Sequence, residues 1–256
     1  MDLKLKGKKA IVTGASRGIG RAIAELLAAE GADVAICARG QAGVDEVVAA
    51  ITASGGKAFG AAVDISDGPA LKAWITGAAG QLGGLDILVS NASALVRASS
   101  EADWQAMLDV DMLGAVRSLE AAQPFLEAAG AAHGDAAFII TSSVSAAEAS
   151  APSAYGAMKA ALIHFAKGVA RSLAAKHVRC NVVSPGTVYF EGGVWGMAKA
   201  QAPDFFKTMI ARNPTGRMAT PEEIANAVVF LASPLSAFTT GINMVVDGGI
   251  TQRANF

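Results

Sequence analysis

Tyr155 and Lys159 lie four residues apart, and a serine pair, Ser142-Ser143, stands thirteen and twelve positions before Tyr155. Positions i and i+4 share a helix face, so a phenol and an ammonium point into one space. The chain has only two tyrosines, which gives weight to one placed this way. A phenol, with an ordinary pKa of about 10, is a poor base at neutral pH. An ammonium beside it favours the phenolate. Such a phenol can protonate a carbonyl oxygen or take the proton of an alcohol, while a serine hydroxyl holds that oxygen. Alone the pair is a weak signal, because Tyr and Lys one turn apart are more often a solvated surface pair.

A second constellation supplies what such proton transfer lacks. Thr13-Gly14-Ala15-Ser16-Arg17-Gly18-Ile19-Gly20 follows the apolar run Ala10-Ile11-Val12 and precedes Arg21–Ala29, whose apolar residues recur at helical spacing. Strand, glycine-rich turn and helix in that order gather backbone N–H groups and the positive end of a helix dipole, where a phosphate sits. Gly14 permits the tight turn, Gly18 the close approach of backbone to ligand, and Gly20 the packing of helix on strand. The next strand, Val34–Ala38, ends on Ala38-Arg39 without the carboxylate that would accept hydrogen bonds from the adenosine ribose of NAD. A guanidinium pairs with a 2′-phosphate instead. Arg39, and Arg17 within the turn, therefore predict NADP (NADPH) over NAD. A bare glycine turn and a solvated Arg39 are the simpler alternatives.

These residues need elements to place them. Strands about Lys9–Thr13, Val34–Ala38, Ala58–Val63, Leu85–Val89, Ala136–Thr141, Val178–Val183 and Asn243–Asp247 alternate with helical stretches. The expected fold is α/β, Rossmann-like and doubly wound, with a seven-stranded parallel sheet covered on both faces. Asn91 and Ala92 follow strand four, at the mouth of the sheet where ligands bind. Long helices are expected over about Trp104–Ala129 and Ser153–Lys176, and a last one over Pro221–Ser233. Thr187–Pro214 breaks the rhythm as an excursion over the sheet. No linker or repeat interrupts residues 1–256, so one domain is expected.

Composition narrows the function further. The 256 residues are 52% hydrophobic with net charge −1, which suits a large core and gives no basic field for nucleic acid. Cys37 and Cys180 are far apart, and a reduced, cytoplasmic chain is the simpler expectation. No apolar stretch reaches the about 20 residues that span a bilayer. His133, His164 and His177 share no ligand spacing, so no metal site is expected. Neither a Gly-x-Ser-x-Gly elbow nor a P-loop occurs.

Taken in order, Thr13-Gly-x-x-x-Gly-x-Gly20, Asp64, Asn91-Ala92, Ser143, Tyr155-x-x-x-Lys159, Pro185-Gly186 and Asp247-Gly248-Gly249 resemble the short-chain dehydrogenase/reductase family. The likeness is to its compact single-domain type, which includes the 3-oxoacyl-carrier-protein reductases, and it covers nearly the whole chain. The resemblance implies an NADP(H)-dependent oxidoreductase interconverting a carbonyl and a secondary alcohol, with Tyr155 as general acid/base, Ser143 on the substrate oxygen, and Lys159 beside the phenol and the nicotinamide ribose. It makes Gly14, Ser16, Gly18, Ile19 and Gly20 of the turn cofactor-binding, puts Arg17 and Arg39 where family members preferring NADP carry basic residues, and sets Asp64 on the adenine with Ile65 also at the cofactor. Asn91 and Ala92 lie along the cofactor, and Pro185, Gly186 and Val188 at the nicotinamide. Residues 187–214 become a substrate lid, and a homotetramer (or homodimer) is implied.

Three positions depart from the family. Asp111 stands where a helix asparagine usually supports the proton relay, Ser93 replaces a glycine, and Phe190 replaces a threonine that contacts the nicotinamide. Ser142 has the more usual separation from Tyr155, although Ser143 fits the strand-end pattern. The apolar lid residues Tyr189, Phe190, Trp195, Met197, Phe205 and Phe206 either line a pocket or pack the lid onto the sheet. A non-catalytic NADP-binding regulatory protein, or an epimerase or dehydratase on this fold, are the alternatives.

Overall fold

The structure, a computed structural model, describes residues 2–96, 100–149 and 151–252. Seven parallel strands form one sheet in the order β3-β2-β1-β4-β5-β6-β7. They are β1 (Lys9–Thr13), β2 (Asp33–Ala38), β3 (Lys57–Ala62), β4 (Ile87–Ser90), β5 (Ala136–Thr141), β6 (Val178–Pro185) and β7 (Asn243–Val246). Side chains alternate across each strand. Ala10 and Val12 enter one apolar layer and Ile11 the other; Val34 and Ile36 oppose Ala35 and Cys37 in the same way. The first layer is closed by α1 (Gly18–Ala29), α2 (Gln41–Ala53) and α9 (Pro221–Ala232), and the second by α3 (Gly68–Leu82), α5 (Leu113–His133) and α6 (Ala154–Leu173). Burying each large aliphatic side chain contributes about 1.5–3 kcal/mol; the inner strands are buried, while the edge strands β3 and β7 are only partly covered.

Chain order reverses between β1 and β4, and a crevice opens there at the strands' C-terminal ends, where doubly wound sheets bind ligands. Among the described residues no helix is long and apolar enough to cross a membrane.

The expected long helix from Trp104 to Ala129 is not continuous. Helix α4 (Glu101–Met107) opens with a capping box between Ser100 and Asp103, and α5 begins only at Leu113. Between them Leu108–Met112 form a π-helical turn. The wider turn takes up an extra residue and so rotates the side chains that follow. It carries Asp111 to a buried position. The expected excursion at residues 187–214 contains two short helices, α7 (Val194–Gln201) and α8 (Pro203–Ala211).

Candidate active site

The crevice is a single cleft of ≈ 1940 Å³, larger than the roughly 300–1,000 Å³ of an ordinary ligand pocket. Its floor is the glycine turn. Gly14 N–H donates to the Cys37 carbonyl at 2.8 Å. Gly14 sits at φ +67°, and a methyl group there would lie 2.7 Å from the Ala92 backbone. Asn91 closes the turn from β4: its Nδ2 donates to the Gly14 carbonyl at 3.1 Å, and its N–H to Thr13 Oγ1 at 3.1 Å. Arg17, at the N-cap of α1, makes no side-chain cap, so the first N–H groups of that helix are not taken up by a capping side chain. A glycine floor beneath an uncapped helix end fits the pyrophosphate of a dinucleotide.

At one end of the cleft its border is formed by Arg39, Asp64 and Ile65. The Ser66 hydroxyl and N–H both donate to Asp64 Oδ1, at 2.7 and 2.9 Å. These bonds, with a smaller contribution from the Arg39 charge, hold the Asp64 carboxyl below its ordinary value. Arg17 also borders the cleft. Its Nη1 donates to the Gly192 carbonyl at 3.1 Å, across the crevice.

At the other end Ser153 caps α6, accepting from Gly156 N–H at 3.1 Å, and this starts the helix that carries Tyr155 and Lys159. Lys159 is buried. Its Nζ donates to the Thr141 carbonyl at 3.0 Å and lies 5.7 Å from the Tyr155 ring centroid. It is 2.9 Å from Asp111 Oδ1, an ion pair set at an angle unlike that of a hydrogen bond. Burial works against the lysine charge, but the Asp111 carboxylate and the Tyr155 oxygen outweigh it and hold Lys159 above its ordinary value. Asp111 Oδ2 accepts from Ala94 N–H at 2.9 Å, which ties the loop after β4 to the same carboxylate. Asp111 itself does not border the cleft, so any effect it has on chemistry passes through Lys159.

The two serines differ in their partners. Ser142 Oγ donates to the Lys159 backbone carbonyl at 2.9 Å. Ser143 Oγ accepts from Ser145 N–H at 3.1 Å, which leaves its own proton for a ligand in the cleft.

The cleft is bordered by Ser143, Tyr155, Lys159, Gly14, Ser16, Arg17, Ile19, Gly20, Arg39, Asp64, Ile65, Asn91, Ala92, Pro185, Gly186 and Val188. Gly18 is set apart, because the Phe190 ring lies over it. The apolar residues of 187–214 divide. Phe190, Trp195, Met197 and Phe205 line the cleft, with Trp195 and Phe205 stacked at 5.9 Å. Tyr189 and Phe206 instead pack on each other at 5.8 Å, and the Tyr189 hydroxyl bonds Glu191. Leu95 and Val96 complete the apolar wall. They were not evident from sequence, and the only sign was their position just beyond Asn91-Ala92. Residues 253–256 lie outside the described residues.

Comparison with known proteins agrees with this geometry. The family model described as Enoyl-(Acyl carrier protein) reductase matches residues 14–251. Isoepoxydon dehydrogenase of Penicillium expansum is 34% identical over 257 residues, covering 98% of each chain. Cis-4-hydroxycyclohexanecarboxylate dehydrogenase of Sinomonas cyclohexanicum is 36% identical over 94% of this chain and 96% of its own. A crystal structure of a short-chain dehydrogenase from Burkholderia cenocepacia in complex with NADP superposes with a TM-score of 0.84 at 32% identity, over 96% of this chain and 99% of that one. The chain belongs to the short-chain dehydrogenase/reductase family, whose members are oxidoreductases that use a nicotinamide cofactor.

Proposed function

We propose that the protein is an NADP(H)-dependent oxidoreductase that interconverts a ring-sized ketone and its secondary alcohol. The observation that carries this reading is the buried Lys159 ammonium, held between Asp111 and the Thr141 carbonyl beside Tyr155, in the same cleft as the glycine turn. A nicotinamide dinucleotide bound along the cleft supplies or accepts the hydride. Ser143 donates a hydrogen bond to the substrate oxygen. In the reducing direction Tyr155 gives its hydroxyl proton to that oxygen, and in the oxidising direction it takes the proton back. Lys159 keeps a positive charge next to the phenol, which favours the phenolate formed when the proton leaves. Asp111 keeps that ammonium charged in a buried place.

NADP is favoured over NAD because Arg39 directly follows β2, where no carboxylate stands to repel a 2′-phosphate. A ring-sized substrate is favoured by the Trp195–Phe205 stack and the Leu95 and Val96 wall. It is also favoured by the cyclohexane substrate in the name of one relative. Residues 187–214 act as the lid of this one-domain enzyme. A homotetramer (or homodimer) is supported by the fully exposed Phe238, with Leu235 and Ile242 exposed nearby. Two buried, unpaired cysteines suit a reducing, cytoplasmic setting. The non-catalytic alternative is disfavoured because Ser143, Tyr155 and Lys159 are all in place.

The test is a panel of cyclic ketones with NADPH and with NADH, following loss of the reduced nicotinamide's absorbance. Turnover is expected with NADPH. Tyr155→Phe should lose about 10²-fold or more in kcat while binding NADPH as before. A Tyr155→Phe enzyme that keeps its kcat would overturn the role given to Tyr155.

A further inference from the structure

We propose that Leu95 is a specificity-determining residue that favours ring-sized ketones over small ones, and that Ser93 is a positioning residue holding it in a strained turn at the edge of the cleft. The selectivity rests on the reading of the protein as a reductase of ring-sized ketones. The strain rests on the backbone alone.

Three non-glycine residues among those described have a positive φ: Lys4, Leu95 and His177. His177 follows the short helical turn Ala174–Lys176, and helices commonly end on a left-handed residue. Lys4 is held by Asp2 in the N-terminal segment, through both its N–H and its ammonium. Of the three, Leu95 borders the cleft. Its φ is +53°, where a Cβ crowds the following carbonyl oxygen and where glycine, asparagine and aspartate are the usual residues. Packing does not offset this cost. The side chain is 46% exposed and belongs to neither apolar layer of the core. Backbone and core both disfavour a leucine here, so its use lies in the cleft.

Two hydrogen bonds fix the turn. Leu95 N–H donates to Ser93 Oγ at 3.2 Å, and Ala94 N–H donates to Asp111 Oδ2 at 2.9 Å. A glycine at position 93 would offer no acceptor for the first bond. Asp111 Oδ1 lies 2.9 Å from Lys159 Nζ, which in turn lies 5.7 Å from the Tyr155 ring centroid. The turn carrying Leu95 is thus tied to the carboxylate that holds the lysine beside Tyr155, so the leucine is placed relative to the proton-transfer group. The stacked Trp195 and Phe205 reach the same cleft from the lid. A six-membered ring bound there has enough apolar surface to cover both Leu95 and the aromatic pair. A three-carbon ketone does not.

The experiment combines rates with NADPH on cyclohexanone and acetone, Kd for NADPH, and melting curves. It uses wild type, Leu95→Ala, Leu95→Gly, Ser93→Gly and the double variant Ser93→Gly with Leu95→Ala. The ratio of kcat/KM for cyclohexanone to that for acetone should fall about tenfold in both Leu95 variants. The fall should come through KM, with Kd for NADPH within about twofold of wild type. Ser93→Gly should lower the ratio about threefold and add nothing in the double variant, because its effect passes through the leucine. Leu95→Gly should melt about 2–4 °C above Leu95→Ala, whereas at an ordinary exposed site alanine is the more stable of the two. An unchanged ratio in Leu95→Ala, in an enzyme that reduces cyclohexanone, would overturn the selectivity given to Leu95. A Ser93→Gly loss that persists in the double variant would overturn the role of Ser93. Leu95→Gly melting at or below Leu95→Ala would overturn the strain. A wild type inactive on cyclohexanone would overturn the ring-ketone reading and the selectivity with it, while the melting curves still decide the strain.

Discussion

Replacing Asp111 by asparagine removes one charge and little else. The asparagine side-chain oxygen can still accept from Ala94 N–H, and Lys159 keeps its bond to the Thr141 carbonyl at 3.0 Å. The buried ammonium, 2% exposed, loses its counter-ion at 2.9 Å. Removing one partner of a buried pair costs about 3–5 kcal/mol, and the retained bonds put this site at the lower end, about 3 kcal/mol. For a chain of this size each kcal/mol lowers Tm by about 2–4 °C, so Asp111→Asn should melt about 6–12 °C below wild type at pH 7. Replacing both members with apolar residues, Asp111→Leu with Lys159→Met, should recover most of the loss, because the stranded charge goes too.

The sign with pH follows from Lys159. Its folded value is raised above the ordinary 10.5. The stability it brings is therefore fully present below 10.5 and is lost as pH rises through the folded value. The gap between wild type and Asp111→Asn should be full at pH 7 and narrow as pH rises through the folded value of Lys159. Calorimetry at neutral and alkaline pH measures both. An Asp111→Asn protein melting within about 2 °C of wild type at pH 7 would refute the charge-pair account.

Two further outcomes are expected. Ser143→Ala should lose about 10²-fold in kcat as a hydrogen-bond donor to the substrate oxygen, while Ser142→Ala should keep most activity and lose about 1 kcal/mol of stability with its bond to Lys159; steady-state rates and melting curves on the two variants separate them, and the reverse pattern would exchange their roles. Burial pushes the Cys37 thiol up to about 12 and the Cys180 thiol upward as well, so a thiol reagent at pH 8 should find neither in the native protein and both after denaturation; a native thiol reacting within minutes would contradict this burial.

The sheet was legible in the sequence because its strands are short apolar runs set between helical stretches, and β1 and β5 have the expected bounds. Tyr155 and Lys159 were legible because a four-residue spacing and a helix starting after Ser153 fix their common face. The break between α4 and α5 was hidden, since a π-helical turn leaves the apolar rhythm of Trp104–Ala129 looking continuous. The only sign was Asp111, an acid on a face that turns out to be buried. Spacing left Ser142 and Ser143 open; both border the cleft, and they differ in that the Ser142 hydroxyl is bonded to the Lys159 carbonyl. The Arg17 bond to Gly192 was not legible, because it joins the turn to a segment more than 170 residues away. The six apolar lid residues could not be sorted by type, because lining a cleft and packing a lid both call for the same side chains.

The central claim is hydride transfer between nicotinamide and a carbonyl carbon with the proton supplied by Tyr155. NADPH deuterated at the transferring position, incubated with the enzyme and a panel of cyclic ketones, tests it by mass spectrometry of the product. The account predicts an alcohol carrying one deuterium on the former carbonyl carbon with wild type, and almost none with Tyr155→Phe at equal NADPH occupancy. Product without deuterium, or equal deuterium transfer by Tyr155→Phe, would contradict it.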